Sequence, residues 1–230
     1  MNNIFKTISI FALILISIIS TLLKIDNIFI FILDIIFSSI FIFYIGRENK
    51  RHTGFLKHMI IFLFWNITYF VIKDGFIISN DKLIDILKNS ILLKDVFLNI
   101  LPAIAYGYLL SIFTNEKIST SIIFQIILVG LSIYFSNEIF FLCAVFLFGR
   151  LFDDRKKLDI NNSFFEFFNN FNFGIYIFHK FILDLLIYFN IAKYGSISDV
   201  FGSLVIIYII SLIIGYYSIH LPIIRKLIEA

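Results

Sequence analysis

Residues 28–73 read IFIFILDIIFSSIFIFYIGRENKRHTGFLKHMIIFLFWNITYFVIK. Two apolar runs, 28–46 and 58–72, flank a short basic connection that holds Arg47, Lys50, Arg51 and Lys57. A helix needs ~20 apolar residues to cross a bilayer core ~30 Å thick, with ~17 tolerated. The first run meets that length and the second falls a little short of it. Cations gathered between two such runs mark a loop held on the cytoplasmic side of a membrane, because Lys and Arg are retained there.

Outward from this hairpin the pattern repeats. Eight stretches read as spans: 7–23, 28–46, 58–72, 94–113, 120–135, 139–152, 171–190 and 200–219. With the N-terminus in the cytoplasm, the inside segments carry Lys6; Arg47, Lys50, Arg51 and Lys57; Lys117; Arg150, Arg155, Lys156 and Lys157; and Arg225 and Lys226. That is 12 of the 19 Lys and Arg residues, against 6 outside (Lys24, Lys73, Lys82, Lys88, Lys94 and Lys193), with Lys180 inside a span. The excess on alternate loops predicts an all-α, polytopic helical bundle in the inner membrane, with both termini cytoplasmic. The spans at 58–72, 120–135 and 139–152 are short, so the range is six to ten, with about eight as the best count. The latter two also fit a re-entrant pair around Ser136, Asn137 and Glu138.

Composition excludes the soluble alternative. Apolar residues make up 60%, mean hydropathy is +0.97 and Phe occurs 31 times, more large apolar surface than a soluble domain of 230 residues can hide. A net charge of +3 is accounted for by the cytoplasmic loops and gives no reason to invoke nucleic acid. The lone cysteine, Cys143, excludes an internal disulfide and reads as a small apolar filler. With no repeat or low-complexity linker, residues 1–230 read as a single transmembrane domain. The first span reads as an uncleaved signal anchor, since no A-x-A-like site follows it.

Two connections have structure of their own. In Lys73–Asp95, on the outer side, Ser79 and Asn80 offer caps, and Leu83, Ile84, Ile86, Leu87 and Ile91 form an apolar stripe. The stripe predicts an amphipathic helix lying on the outer leaflet. Asp153–Asn170 begins DDRKK and ends NNSFFEFFNN, and reads as a cytoplasmic loop whose Phe-rich half lies at the interface.

Ionisable residues at membrane depth are functional candidates. Asp34 is one, or else it reaches water from the outer end of a tilted helix. Asn66 and Gln125 suit hydrogen bonds to neighbouring helices. The seventh span, FNFGIYIFHKFILDLLIYFN, carries Tyr176, His179, Lys180 and Asp184. Tyr176 and His179 are three apart, and Lys180 and Asp184 four apart, so each pair shares a helix face. Lys180 and Asp184 can neutralise one another. His179 has no such partner in its span, and a neutral imidazole both donates and accepts, so it is a candidate base or substrate contact. There is no G-x-S-x-G, Walker loop, H-E-x-x-H or dinucleotide fingerprint. The four histidines, at 52, 58, 179 and 220, lack metal-ligand spacing, so no metal site is expected.

FGIYIFHKFIL at 173–183 resembles the late helix of the membrane-bound acyltransferase 3 family, where Gly, Ile and Tyr precede an apolar pair and His. FLKHMIIFLFWNITYFVI at 55–72 is similar to that family's basic loop feeding an aromatic helix. FLFGRLF at 146–152 resembles its glycine-containing helix, and LPIIRKLIEA at 221–230 its closing segment. The resemblance implies transfer of an acyl group, commonly acetyl from acetyl-CoA, to hydroxyls of surface carbohydrate. It implies His179 and Tyr176 as catalytic residues, and Arg47, Arg51 and Lys57 as contacts for the phosphates of acyl-CoA. Acyl-CoA is a co-substrate in this reading, and no tightly bound cofactor is expected. The partners are the lipid bilayer and a surface glycan or lipid-linked saccharide.

The first helix of that family carries an Arg and a later His, and Thr7–Leu23 contains neither. An N-terminally incomplete copy, an enzyme using another base and an inactive relative all fit this departure. A carrier or flippase-like protein for lipid-linked saccharides is the alternative, with His179, Lys180, Asp184 and Asp34 lining a pathway. A membrane interaction subunit without chemistry is the third reading.

Overall fold

The computed structural model describes residues 2–25, 27–48, 55–73, 80–93, 99–113, 122–150 and 163–220. Nine helices and no strands occur among them: α1 (Asn2–Leu23), α2 (Ile28–Glu48), α3 (Phe55–Lys73), α4 (Asn80–Ile91), α5 (Ile100–Phe113), α6 (Ile122–Phe135), α7 (Glu138–Gly149), α8 (Ser163–Tyr188) and α9 (Ile197–His220). An all-helical chain is the expected answer to an apolar solvent, where every backbone N–H and C=O must find its partner within the segment.

Four helices among the described residues are long and apolar enough to cross a membrane: Ile4–Leu23, Ile28–Arg47, Phe55–Lys73 and Ile197–Ile214. Over the described residues the helices α5, α6 and α7 run for 14, 14 and 12 residues. At ~1.5 Å per residue they extend for about 21, 21 and 18 Å, less than a ~30 Å core. Apolar side chains stand exposed on many of these helices, among them Ile28 (77%), Ile122 (73%) and Ile133 (76%), as lipid-facing surfaces require.

The chain groups into two units, Met1–Phe41 with Lys156–Ala230, and Ile42–Arg155. In the first, α1 packs on α8 and α9, which pack on each other. Ile10, Ile14, Ile18 and Leu22, four residues apart, are fully buried and form the α1 face of that core. Asn27 caps α2, its side chain accepting from Ile30 N at 3.0 Å. The α8–α9 connection folds back on the end of α1: Gly195, at φ +81°, donates its N–H to the Leu22 carbonyl at 2.7 Å, and Lys24 sits over the Tyr194 ring. Two sequence boundaries shift here. The Phe-rich segment expected in a loop forms the first turns of α8, which begins at Ser163. Lys6, expected just before the first span, is a buried residue within α1, whose apolar stretch begins at Ile4.

In the second unit α3 packs on α5, α5 on α7, and α7 on α6. Pro102 falls in the first turn of α5, where a missing N–H removes nothing from the helix. Between α6 and α7 the chain reverses at Ser136 (φ 50°), and Asn137 caps α7 by accepting from Ile139 N at 3.0 Å. The predicted amphipathic helix is α4. It packs on α3 through Ile86 and Ser90, while Leu83, Ile84 and Ile91 of the apolar stripe remain exposed. Ser79, the loop residues 153–162 and the segment LPIIRKLIEA lie outside the described residues.

Candidate functional site

Helix α8 places Tyr176, His179 and Lys180 within one turn. Tyr176 and His179 are 6% and 4% exposed, Lys180 is half-buried and Asp184 is exposed. His179 Nδ1 lies 2.5 Å from the backbone carbonyl oxygen of Tyr176. A carbonyl only accepts, so Nδ1 carries the proton, and in the neutral ring Nε2 keeps the lone pair. The two rings lie 5.6 Å apart at 36°, and Phe41 of α2 stands 6.4 Å from Tyr176. Tilted aromatic neighbours leave the imidazole little freedom to swing.

Helix α2 adds a residue from the far side of the sequence. Asp34 is half-buried and lies within electrostatic reach of Lys180, which also acts on His179. With Phe41 facing Tyr176 and Asp34 within electrostatic reach of Lys180, α2 runs antiparallel to α8 in the first unit. Asp184 was the partner the spacing offered for Lys180; Asp34 is a further carboxyl group within electrostatic reach of the same ammonium. The arrangement sets a buried proton acceptor next to a half-buried cation and a half-buried carboxyl group, enough for proton transfer or for gripping a polar group.

The expected cofactor contacts lie elsewhere. Arg47 closes α2 and Lys57 is exposed in the first turn of α3, both in the second unit, and Arg51 lies outside the described residues. The end of α7 meets the backbone of Arg47 at Gly149, and in the same unit the structure groups residues to which sequence reasoning gave no site role: His58, Tyr108 and Arg150. The His58 ring stacks on Tyr108 at 4.8 Å and 27°, and Phe146 meets Tyr108 edge-on at 5.0 Å. Arg150 lies within electrostatic reach of Tyr108. In the sequence Arg47 and Arg150 stood among the cytoplasmic cations, and His58 and Gly149 within the segments FLKHMI and FLFGRLF.

Among the described residues no three His, Cys, Asp or Glu side chains come together as metal ligands. Cys143 is buried in α7 with Sγ 3.4 Å from the Ala103 carbonyl. No family model, no curated protein and no solved structure matches this chain.

Proposed function

We propose that the protein is an integral-membrane O-acyltransferase of the inner membrane, with about eight spans and both termini cytoplasmic. It moves an acyl group, acetyl in the simplest case, from a CoA thioester to a hydroxyl of a cell-surface carbohydrate. The observation that supports this reading is the bond from His179 Nδ1 to the Tyr176 carbonyl, which selects the tautomer a general base needs. The sequence around it, FGIYIFHKFIL, carries the resemblance.

In this mechanism Nε2 takes the acceptor's hydroxyl proton as the oxygen attacks the thioester carbonyl. The carbon–sulfur bond then breaks, the imidazolium returns the proton to the leaving thiolate, and an ester and free CoA thiol result. General-base assistance of this kind contributes ~10²–10⁴-fold. Tyr176 orients the base through its carbonyl and flanks it with its ring. Arg47, Arg51 and Lys57 supply cations on the side where CoA is found, suited to phosphate oxygens.

The test is transfer of labelled acetyl from acetyl-CoA to surface glycan in membranes. His179→Ala and His179→Gln should each lower transfer by at least about a hundredfold while the protein stays at normal level. Full transfer by His179→Ala at unchanged level sinks the assignment. Exchanging Arg47, Arg51 and Lys57 together for Gln should weaken CoA-ester binding; unaltered binding would leave those charges an orienting role only.

One observation favours the carrier reading: Asp34 and Lys180, from separate helices, lie within electrostatic reach of each other, and Lys180 adjoins His179 in α8. Movement of a lipid-linked saccharide across proteoliposomes that is lost in Asp34→Asn, without any acyl transfer by the unaltered protein, would select it.

A further inference from the structure

Three helix ends meet at one place in the second unit. Helix α2 ends in Gly46-Arg47-Glu48, α7 ends at Gly149 with Arg150 as its cap, and α3 begins three residues before His58. Neither glycine has room for a Cβ. At Gly46 it would overlap the Phe146 carbonyl oxygen; at Gly149 it would overlap that of Phe43 and stand 3.2 Å from the Arg47 backbone nitrogen. Helices whose backbones touch in this way cross at a fixed point, so the arginine after each glycine is delivered to the same end of the unit. Helix α5 brings Tyr108 there, 2% exposed, with His58 stacked on it and Arg150 within its electrostatic reach. His58 is 5% exposed, and Arg47 and Arg150 are half-buried. At the opposite end of the unit the polar groups are of another kind: Asn99 donates to Glu138, and Asn137 to the Leu93 carbonyl.

We infer that Arg47, His58 and Arg150 form a phosphoester-binding site whose occupant is the head group of an anionic phospholipid. Two guanidinium forks match phosphate oxygens in pairs, and an imidazole adds a third nitrogen. Basic pockets between membrane helices on the cytoplasmic side take anionic head groups, and the loop charges place this end there. The border of the site favours a lipid. Leu56 and Ile60, two residues either side of His58, are 67% and 52% exposed, and Phe148 beside Gly149 is 44% exposed. These side chains offer acyl chains a surface next to the charge. The site stands without the acyl-transfer reading. The phosphates of CoA offer the same chemistry from the aqueous side, and the experiment separates the two sources.

The full chain in detergent is probed by native mass spectrometry with phosphatidylglycerol, with phosphatidylcholine and, separately, with CoA. The unaltered protein should retain phosphatidylglycerol at least tenfold better than phosphatidylcholine. Arg47→Gln with Arg150→Gln should remove that preference, and Arg47→Lys with Arg150→Lys should leave an intermediate one. Loss of CoA in place of phosphatidylglycerol in the Gln variant supports the phosphoester site with a soluble occupant. Equal retention of every probe by the Gln variant overturns the inference. So does an unaltered protein that neither prefers phosphatidylglycerol nor holds CoA, a result that does not depend on any variant folding.

Discussion

Asn66 in α3 donates through Nδ2 to the Ser90 hydroxyl of α4 at 2.6 Å, and Ser90 donates in turn to the Ile86 carbonyl at 2.6 Å. Both residues are buried, at 2% and 0% exposure. The chain of bonds fastens the amphipathic helix to a long apolar helix beside it. Interhelical hydrogen bonds in membranes contribute about 0.6 kcal/mol on average and up to about 1.7. A double-mutant cycle with Asn66→Ala and Ser90→Ala, read by unfolding in detergent, should return a coupling of that size. Strict additivity would mean the bond carries no net stability.

The crossing of α2 and α7 has less tolerance. Gly46→Ala and Gly149→Ala each drive a methyl into the facing backbone, where no side chain can rotate away. Overpacking of this kind costs about 1–3 kcal/mol. At Gly130 and Gly202 an added Cβ would meet nothing within 4 Å, so alanine there should be close to neutral or slightly favourable. Thermal unfolding of the four variants should divide them two and two.

Much of this was legible in the residues. The apolar runs set off by cations located the long helices, and the stripe in SNDKLIDILKNSILL located α4 with its partly exposed apolar side. Asn66 was read as a tie between helices, because a primary amide in an apolar run needs a partner. What escaped was whatever depends on tertiary proximity. His58 and Tyr108 lie far apart in the chain and share no periodicity, and Asp34 reaches Lys180 only because α2 runs back along α8. The start of α8 was missed as well: Asn and Glu among the phenylalanines of 163–170 look like a loop, yet nothing there breaks a helix.

Lys180 and Asp34 give a third prediction. Lys180→Leu leaves the Asp34 carboxylate without one of its compensating charges, and Asp34→Leu does the same to the ammonium. Removing one member of a sheltered pair is more damaging than replacing both by apolar residues. The double variant should therefore be at least as stable as the worse single variant, with a coupling of about 0.5–3 kcal/mol by thermal unfolding. A double variant as damaged as the two single losses added together would show that the charges act independently.

The last prediction concerns how many times the chain crosses. In the second unit α3 and α5 run antiparallel, since His58 near the start of one stacks on Tyr108 near the end of the other. Helices α5 and α7 run parallel, with Asn99 against Glu138 at one end and Tyr108 against Phe146 at the other. Helix α6 returns between them in the chain, joined to α7 by the tight reversal at Ser136. Two short helices in this order either cross a locally thinned bilayer or form a re-entrant pair, and length alone does not separate the two. Ser136 is exposed, and Cys143, the sole cysteine, is buried. In a Cys143→Ala background, Ser136→Cys should react from outside the cell with a membrane-impermeant maleimide, because the eight-span order puts residue 136 on the outer face. Reporter fusions at Arg51 and Asp81 should then give opposite locations, inside and outside respectively. Labelling of the introduced thiol only after the membrane is opened would turn α6 and α7 into an inward-facing hairpin and reduce the count to six. Fusions at Arg51 and Asp81 on the same side would overturn the arrangement at its first hairpin.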